Sequence, residues 1–246
     1  MPQKQIYTGL KRELRSRKDF IREQALGSAP NPNFVRGERL NKILNSPLKE
    51  LWPEQGQDNS CVSCSFTFVN QYNSYFNDNN CAWLSWQFLY QNVPHYPPVP
   101  TGSTKVRENG EFLRKTGQSK INETINPEKF KIKSYFYTAN LDTQSIKDVL
   151  THAPVIVGCY TDEVGLSTER FGHAIVLIDL DEKGDFVAAN WWGGEENIVT
   201  IPASVKFFSA TTIEDLPDNL PKDQVRLGYT GLFQNIFSKL FSFLII

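Results

Sequence analysis

The chain holds 246 residues, 40% of them hydrophobic and 22% charged. These values exclude a disordered, collagen-like or membrane-bundle chain, and the length fits one large domain or one domain with extensions. Four cysteines, at 61, 64, 81 and 159, are too few for a disulfide scaffold. The net charge of −1 conceals a polarity: residues 1–50 carry 11 Lys and Arg against 5 Asp and Glu, and the remaining 196 carry 15 against 22. A basic head precedes an acidic body, and the chain as a whole is no polyanion binder.

In chain order, residues 9–26 are predicted as a basic helix, with Leu10, Leu14, Ile21 and Leu26 among Lys11, Arg12, Arg15, Arg17, Lys18 and Arg22, and with Gly27 as its stop. Pro30 and Pro32 mark a linker. A short helix over Leu40–Leu51 is interrupted at Pro47. The next helix begins near Ser60 and runs to about Phe76, followed by a polar turn at Asn77–Asn80 and a short helix over Leu84–Asn92. Four prolines within Pro94–Thr101 exclude regular structure there. A helix over Arg107–Thr116 ends at Gly117.

The period then changes. Lys131–Tyr137 alternates as a strand, and Thr143–Leu150 is helical with Asp142 as its cap. Pro154–Tyr160, His173–Asp179 and Phe186–Trp191 are apolar and β-branched, as expected for a mostly buried sheet. Lys183-Gly184 within Asp181–Asp185 signals a hairpin turn. A helical half followed by a β half makes the class α+β. From Gly231 onward, Leu232, Phe233, Ile236, Phe237, Leu240, Phe241, Leu244 and Ile245 form a helical apolar stripe. At ~1.5 Å per residue that helix is about 24 Å long, short of the hydrocarbon core of a bilayer. The expected organisation is an extension over 1–49, a main domain over 50–228 and an amphipathic helix over 229–246. No apolar h-region opens the sequence and no run of 18 apolar residues occurs. Neither a signal peptide nor a membrane-spanning helix is therefore expected, and the compartment stays open.

The segment that carries chemistry is Gln55-Gly56-Gln57-Asp58-Asn59-Ser60-Cys61. A thiol at a helix N-terminus feels a positive partial charge that favours the thiolate, and Cys61 stands where coil gives way to helix. Its backbone N–H and a second donor, for which Gln55 is the candidate, can hold an oxyanion. A thiol nucleophile also needs a proton acceptor. Of the histidines at 95, 152 and 173, only His173 opens an apolar strand that would fix its backbone. Asn190, at the end of the next strand, is placed to hold the imidazole tautomer.

In these residues the sequence resembles the papain-like cysteine peptidases. Gln55-Gly56 precedes Cys61 by the family's spacing, Gly172-His173-Ala174 resembles its histidine motif, and Asn190-Trp191-Trp192-Gly193 matches three positions of its Asn-Ser-Trp-Gly. Leu84-Ser85 and Pro154-Val155-Ile156-Val157 resemble further family segments, over roughly residues 50–205. The resemblance implies a two-lobed fold, helical on the left and antiparallel β on the right, with a cleft between. It implies Gln55 in the oxyanion hole, Cys61 as nucleophile, His173 as base then acid and Asn190 as its orienter. Trp192 would shield the Asn–His pair, and Gly172, Val155 and Val157 would border the substrate pocket. The substrate the resemblance implies is a peptide or protein, with no cofactor and no metal expected. The sequence departs from the family at Asp58, where secreted members carry a disulfide cysteine, at Val62 and at Cys64, which point to a divergent, disulfide-poor microbial or viral member.

Rival readings stay open at this level. The same chemistry serves a deamidase, a transglutaminase-like enzyme or an amidase, and the domain could be an inactive scaffold used for binding. Cys61 and Cys64 could form a Cys-x-x-Cys redox or zinc pair, but no second ligand pair follows for zinc. The helical spacing turns Cys64 inward, and Cys81 and Cys159 read as free core thiols. His95 and His152 read as surface or loop residues that imply no binding role, and Asp179 and Asp181 as turn residues. The basic helix 9–26 is a solvated face, a docking arm for an acidic partner or an inhibitory propeptide. The stripe over 231–246 is a helix packed on the domain, an interfacial anchor or a partner-binding helix. No specific nucleic-acid partner is expected.

Overall fold

The computed structural model describes residues 30–56, 58–121, 130–139, 142–193 and 197–215. The helices expected over 9–26 and 231–246 lie outside them. Four helices and a short 3-10 turn form one half: α1 (Glu38–Leu44), the turn at Pro47–Leu51, α2 (Cys61–Asp78), α3 (Trp86–Gln91) and α4 (Val106–Lys115). Local chemistry sets their starts. The Ser46 hydroxyl accepts from the Leu48 N–H ahead of Pro47, and the Ser85 hydroxyl accepts from the Phe88 N–H at 3.1 Å. Helix α2 ends at Asn79, whose left-handed backbone (φ 53°) is the usual exit for this residue type.

The other half is a six-stranded antiparallel sheet with one helix: β1 (Ile132–Ala139), α5 (Thr143–Leu150), β2 (Val155–Tyr160), β3 (Gly172–Leu180), β4 (Phe186–Ala189), β5 (Ile198–Ile201) and β6 (Ser209–Asp215). Strand order is β1-β6-β2-β3-β4-β5. Asp142 caps α5 as expected, its carboxylate accepting from both the N–H and the hydroxyl of Ser145. Strands β5 and β6 were not legible in the sequence.

Because side chains alternate across a strand, the sheet builds two cores. Ile156, Ala174, Val176, Ile178, Val187 and Ala189 face the cluster that contains Cys61, Phe66, Phe68 and Trp191. Val155, Val157, Cys159, Ile175, Leu177 and Ala188 face the opposite cluster, under α5. Helix α2 packs along β3 and fills the first core, so the nucleophile candidate and the histidine strand are brought together by burial of one apolar face.

Within 30–49, Ile43 and Leu48 are buried in the same cluster as Cys61. Two sequence expectations are corrected here. Asp179 lies in β3 rather than in a turn. It is fully buried, and its carboxylate accepts from the N–H groups of Gly37, Leu40 and Leu180 at 2.8–3.0 Å, anchoring the start of α1. Cys81 is exposed rather than in the core.

Candidate active site

The start of α2 sets the first element of the site. Ser60 occupies the N-cap position, the Cys64 N–H bonds the Ser60 carbonyl at 2.9 Å, and Cys61 is the first helical residue. Its thiol lies beside the backbone N–H of Ala174, the residue after His173. Cys61 is fully buried, and burial pushes its thiol up to about 12, while the N–H groups of Ala174 and of its own helix start act in the opposite direction. The thiolate expected from the helix terminus alone is thus opposed by desolvation.

His173 enters β3 as its second residue, paired across the sheet with Cys159, and is 1% exposed. Its Nε2 lies 2.8 Å from the Asn190 Oδ1. An amide oxygen only accepts, so this contact fixes the proton on Nε2 and leaves Nδ1 with a free lone pair. Burial holds the imidazole down to about 4, and the Asn190 contact partly offsets that. Burial therefore opposes charging either group alone. Transfer of the thiol proton to the imidazole creates a pair with no net charge, which a desolvated site tolerates far better.

Gln55 and Trp192 complete the arrangement. The Gln55 side-chain nitrogen donates to the Asp58 carbonyl at 2.7 Å, using one of its two N–H donors, and its backbone N–H bonds the Trp191 carbonyl at 2.9 Å. Gly56 follows with φ +61°, a turn that glycine adopts without strain. The Trp192 ring lies over the His173 imidazole, centroids 4.9 Å apart. Trp191 is instead fully buried, and its indole N–H is shared between the Ala174 carbonyl at 2.9 Å and the Ser65 hydroxyl at 3.1 Å.

Of the residues singled out in the sequence, His173 meets Asn190 and Trp192 directly, Cys61 adjoins the same strand at the Ala174 N–H, and Gln55 bonds the backbone of Trp191, between Asn190 and Trp192. Gly172 is half-buried and adjoins His173 at the start of β3. Val155 and Val157 do not join: both are fully buried in the core on the α5 side, away from Cys61. The two-residue alternation of β2 points Ile156 to the Cys61 side in their place. Reading missed Trp52, whose indole N–H donates to the Asn190 carbonyl at 2.7 Å and whose ring packs on Phe68 and Trp191. It missed Tyr90, whose hydroxyl bonds the Gly102 carbonyl and which stacks on His95. The two nitrogens of His95 meet the Tyr90 and Val99 carbonyls at 2.7 and 2.9 Å. A tryptophan three residues before Gln55 was the only signal for Trp52. Among the described residues no group of three His, Cys, Asp or Glu side chains could hold a metal ion, and no helix is long and apolar enough to cross a membrane.

No protein-family model and no curated protein matches this chain in sequence. Among solved structures it is similar to xylellain, a cysteine protease from Xylella fastidiosa (TM-score 0.59, 16% identity, 85% of this chain and 96% of that one). It is similar to the bromelain protease of Ananas comosus in complex with the E64 inhibitor (TM-score 0.59, 13% identity, 76% and 100%). It also matches digestive procathepsin L 3 of Tenebrio molitor larval midgut (TM-score 0.54, 16% identity), spanning 66% of that chain. The chain therefore has the papain-like cysteine protease fold, with mixed helices and an antiparallel sheet.

Proposed function

We propose that the protein is a papain-like cysteine peptidase. The observation that carries this reading is the His173 Nε2 to Asn190 Oδ1 contact of 2.8 Å, beside Ala174, whose N–H meets the Cys61 thiol, and Trp191, whose carbonyl accepts from the Gln55 N–H. It leaves Nδ1 as the bare nitrogen, free to take the thiol proton. The Cys61 sulfur then attacks the peptide carbonyl. The Cys61 N–H and the remaining Gln55 side-chain N–H stabilise the oxyanion. His173 returns its proton to the leaving amine, and water, deprotonated by the same nitrogen, releases the acyl group. Trp192 keeps water off the Asn190–His173 contact, and Gly172 borders the substrate.

A peptide library incubated with the protein tests this. Cleavage with new N-termini, lost in Cys61→Ala and His173→Ala variants that remain folded, is the expected result. Deamidation or amine incorporation without cleavage would replace the peptidase by another acyl-transfer enzyme. No turnover of any kind would leave a binding scaffold.

A further inference from the structure

Cys64 takes no part in the steps above, yet it stands in the same helical turn as Cys61. The Cys64 N–H to Ser60 carbonyl bond closes that turn at 2.9 Å. Helical side chains lean toward the N-terminus, and the Cys64 sulfur accordingly lies back over the turn, 3.7 Å from the Ser60 hydroxyl. Two residues three apart on a helix have Cα atoms about 5 Å apart, inside the window of about 4.4–6.8 Å that a disulfide requires. Dithiols with this spacing at a helix start are the reactive kind. Both thiols are fully buried in one cluster. The other two stand apart: Cys81 is exposed, and the Cys159 thiol meets the His173 carbonyl at 3.6 Å in the opposite core.

We infer that Cys64 is the resolving thiol of a reversible lock, in which a hydroperoxide drives a Cys61–Cys64 disulfide that shuts the site and a thiol reductant reopens it. The inference rests on the reading of Cys61 as nucleophile, because an oxidant reaches that sulfur by the path a substrate carbonyl takes. In the first step the Cys61 thiolate attacks the peroxide. An S–O bond forms, the O–O bond breaks, and the alcohol or water leaves with the thiol proton. In the second step the Cys64 sulfur attacks the sulfenic Cys61. The S–S bond forms, the S–O bond breaks, and hydroxide leaves with the Cys64 proton as water. Two thiols lose two protons and two electrons, and the hydroperoxide is reduced. Without Cys64 the sulfenic acid would persist and climb to sulfinic acid, which thiol reductants do not reverse.

The test treats the full chain with excess hydrogen peroxide, then reads peptide turnover, intact mass and a non-reducing peptide map, before and after dithiothreitol. The expected result is loss of turnover, loss of the mass of two hydrogens, a Cys61–Cys64 linked peptide and recovery on reduction. Cys64→Ser should instead add oxygen at Cys61 and stay inactive after dithiothreitol, and Cys64→Ala serves if the serine variant does not fold. Sulfinic Cys61 in the unmutated chain with no linked peptide, or full recovery of Cys64→Ser, overturns the inference. Labelling a separate, unoxidised sample with an epoxysuccinyl probe separates the two readings. If Cys61 is labelled and the linked peptide is absent, only the lock falls. If Cys61 is neither labelled nor needed for turnover, the nucleophile and the lock fall together.

Discussion

The helical half and the β half hold their shares of the site by different means. Helix α2 carries Cys61 and is tied down by buried side-chain hydrogen bonds: Ser63 to Asn109, Asn70 to Gln118 and the Phe130 carbonyl, and Gln71 to the Leu51 carbonyl and the Leu84 N–H. His173 and Asn190 are carried by β3 and the end of β4, which are apolar and held by the backbone ladder. Trp191 joins the halves, its indole bonding Ser65 of α2 and Ala174 of β3. Position is thus set by side-chain chemistry on one side and by main-chain geometry on the other. Apart from the buried Asp179 of β3, polar substitutions should register mainly on the helical side, and cavities at the joint.

The largest expected effect is at that joint. Trp191→Ala removes a fully buried indole that touches both halves, and denaturant unfolding should show a loss of about 3–5 kcal/mol. A loss below about 1 kcal/mol would mean that the halves are held together elsewhere. Next comes acid. The folded His173 is held down to about 4 against an unfolded value of 6.5, so below pH 6.5 the unfolded chain binds a proton that the folded chain refuses. Stability should therefore fall as pH drops from about 6.5 to 4, by up to about 3 kcal/mol, and be unaffected by this group above that window. Thermal melts of the unmutated chain and of His173→Gln across that range check it, the variant giving the flatter curve. A smaller effect is expected in the helical half. Asn109→Ala leaves the buried Ser63 hydroxyl without its acceptor and should cost about 1–3 kcal/mol in chemical unfolding. The smallest is Cys64→Ser, which keeps volume and should leave peptide turnover in reducing buffer within about twofold.

The same division explains what the sequence made legible. The start of α2 near Ser60 was marked by the change from coil to apolar helix, and the Asp142 cap is local chemistry and could be read directly. So could β2 and β3, whose apolar runs are buried on both faces. Strand β6 could not: Ser-Ala-Thr-Thr-Ile-Glu-Asp is a strand because β1 and β2 pair with it on either side, a fact of tertiary structure. Strand β5 has four residues and only Ile201 buried. Asp179 looked like a turn residue because its three N–H partners lie mostly some 140 positions away in sequence. In the site, the order of Gln55, Cys61, His173 and Asn190 was visible. The face on which Val155 and Val157 fall was not, since it depends on how β2 registers against β3.

One measurement bears most directly on the central claim. The folded protein is treated at pH 6 with an epoxysuccinyl probe or iodoacetamide under reducing conditions, and the labelling rate of each cysteine is read by peptide mapping. Cys61 should be labelled far faster than the equally buried Cys159 and ahead of the exposed Cys81, and His173→Ala should abolish that advantage. Labelling of Cys61 no faster than Cys159 would contradict the nucleophile assignment and with it the peptidase reading.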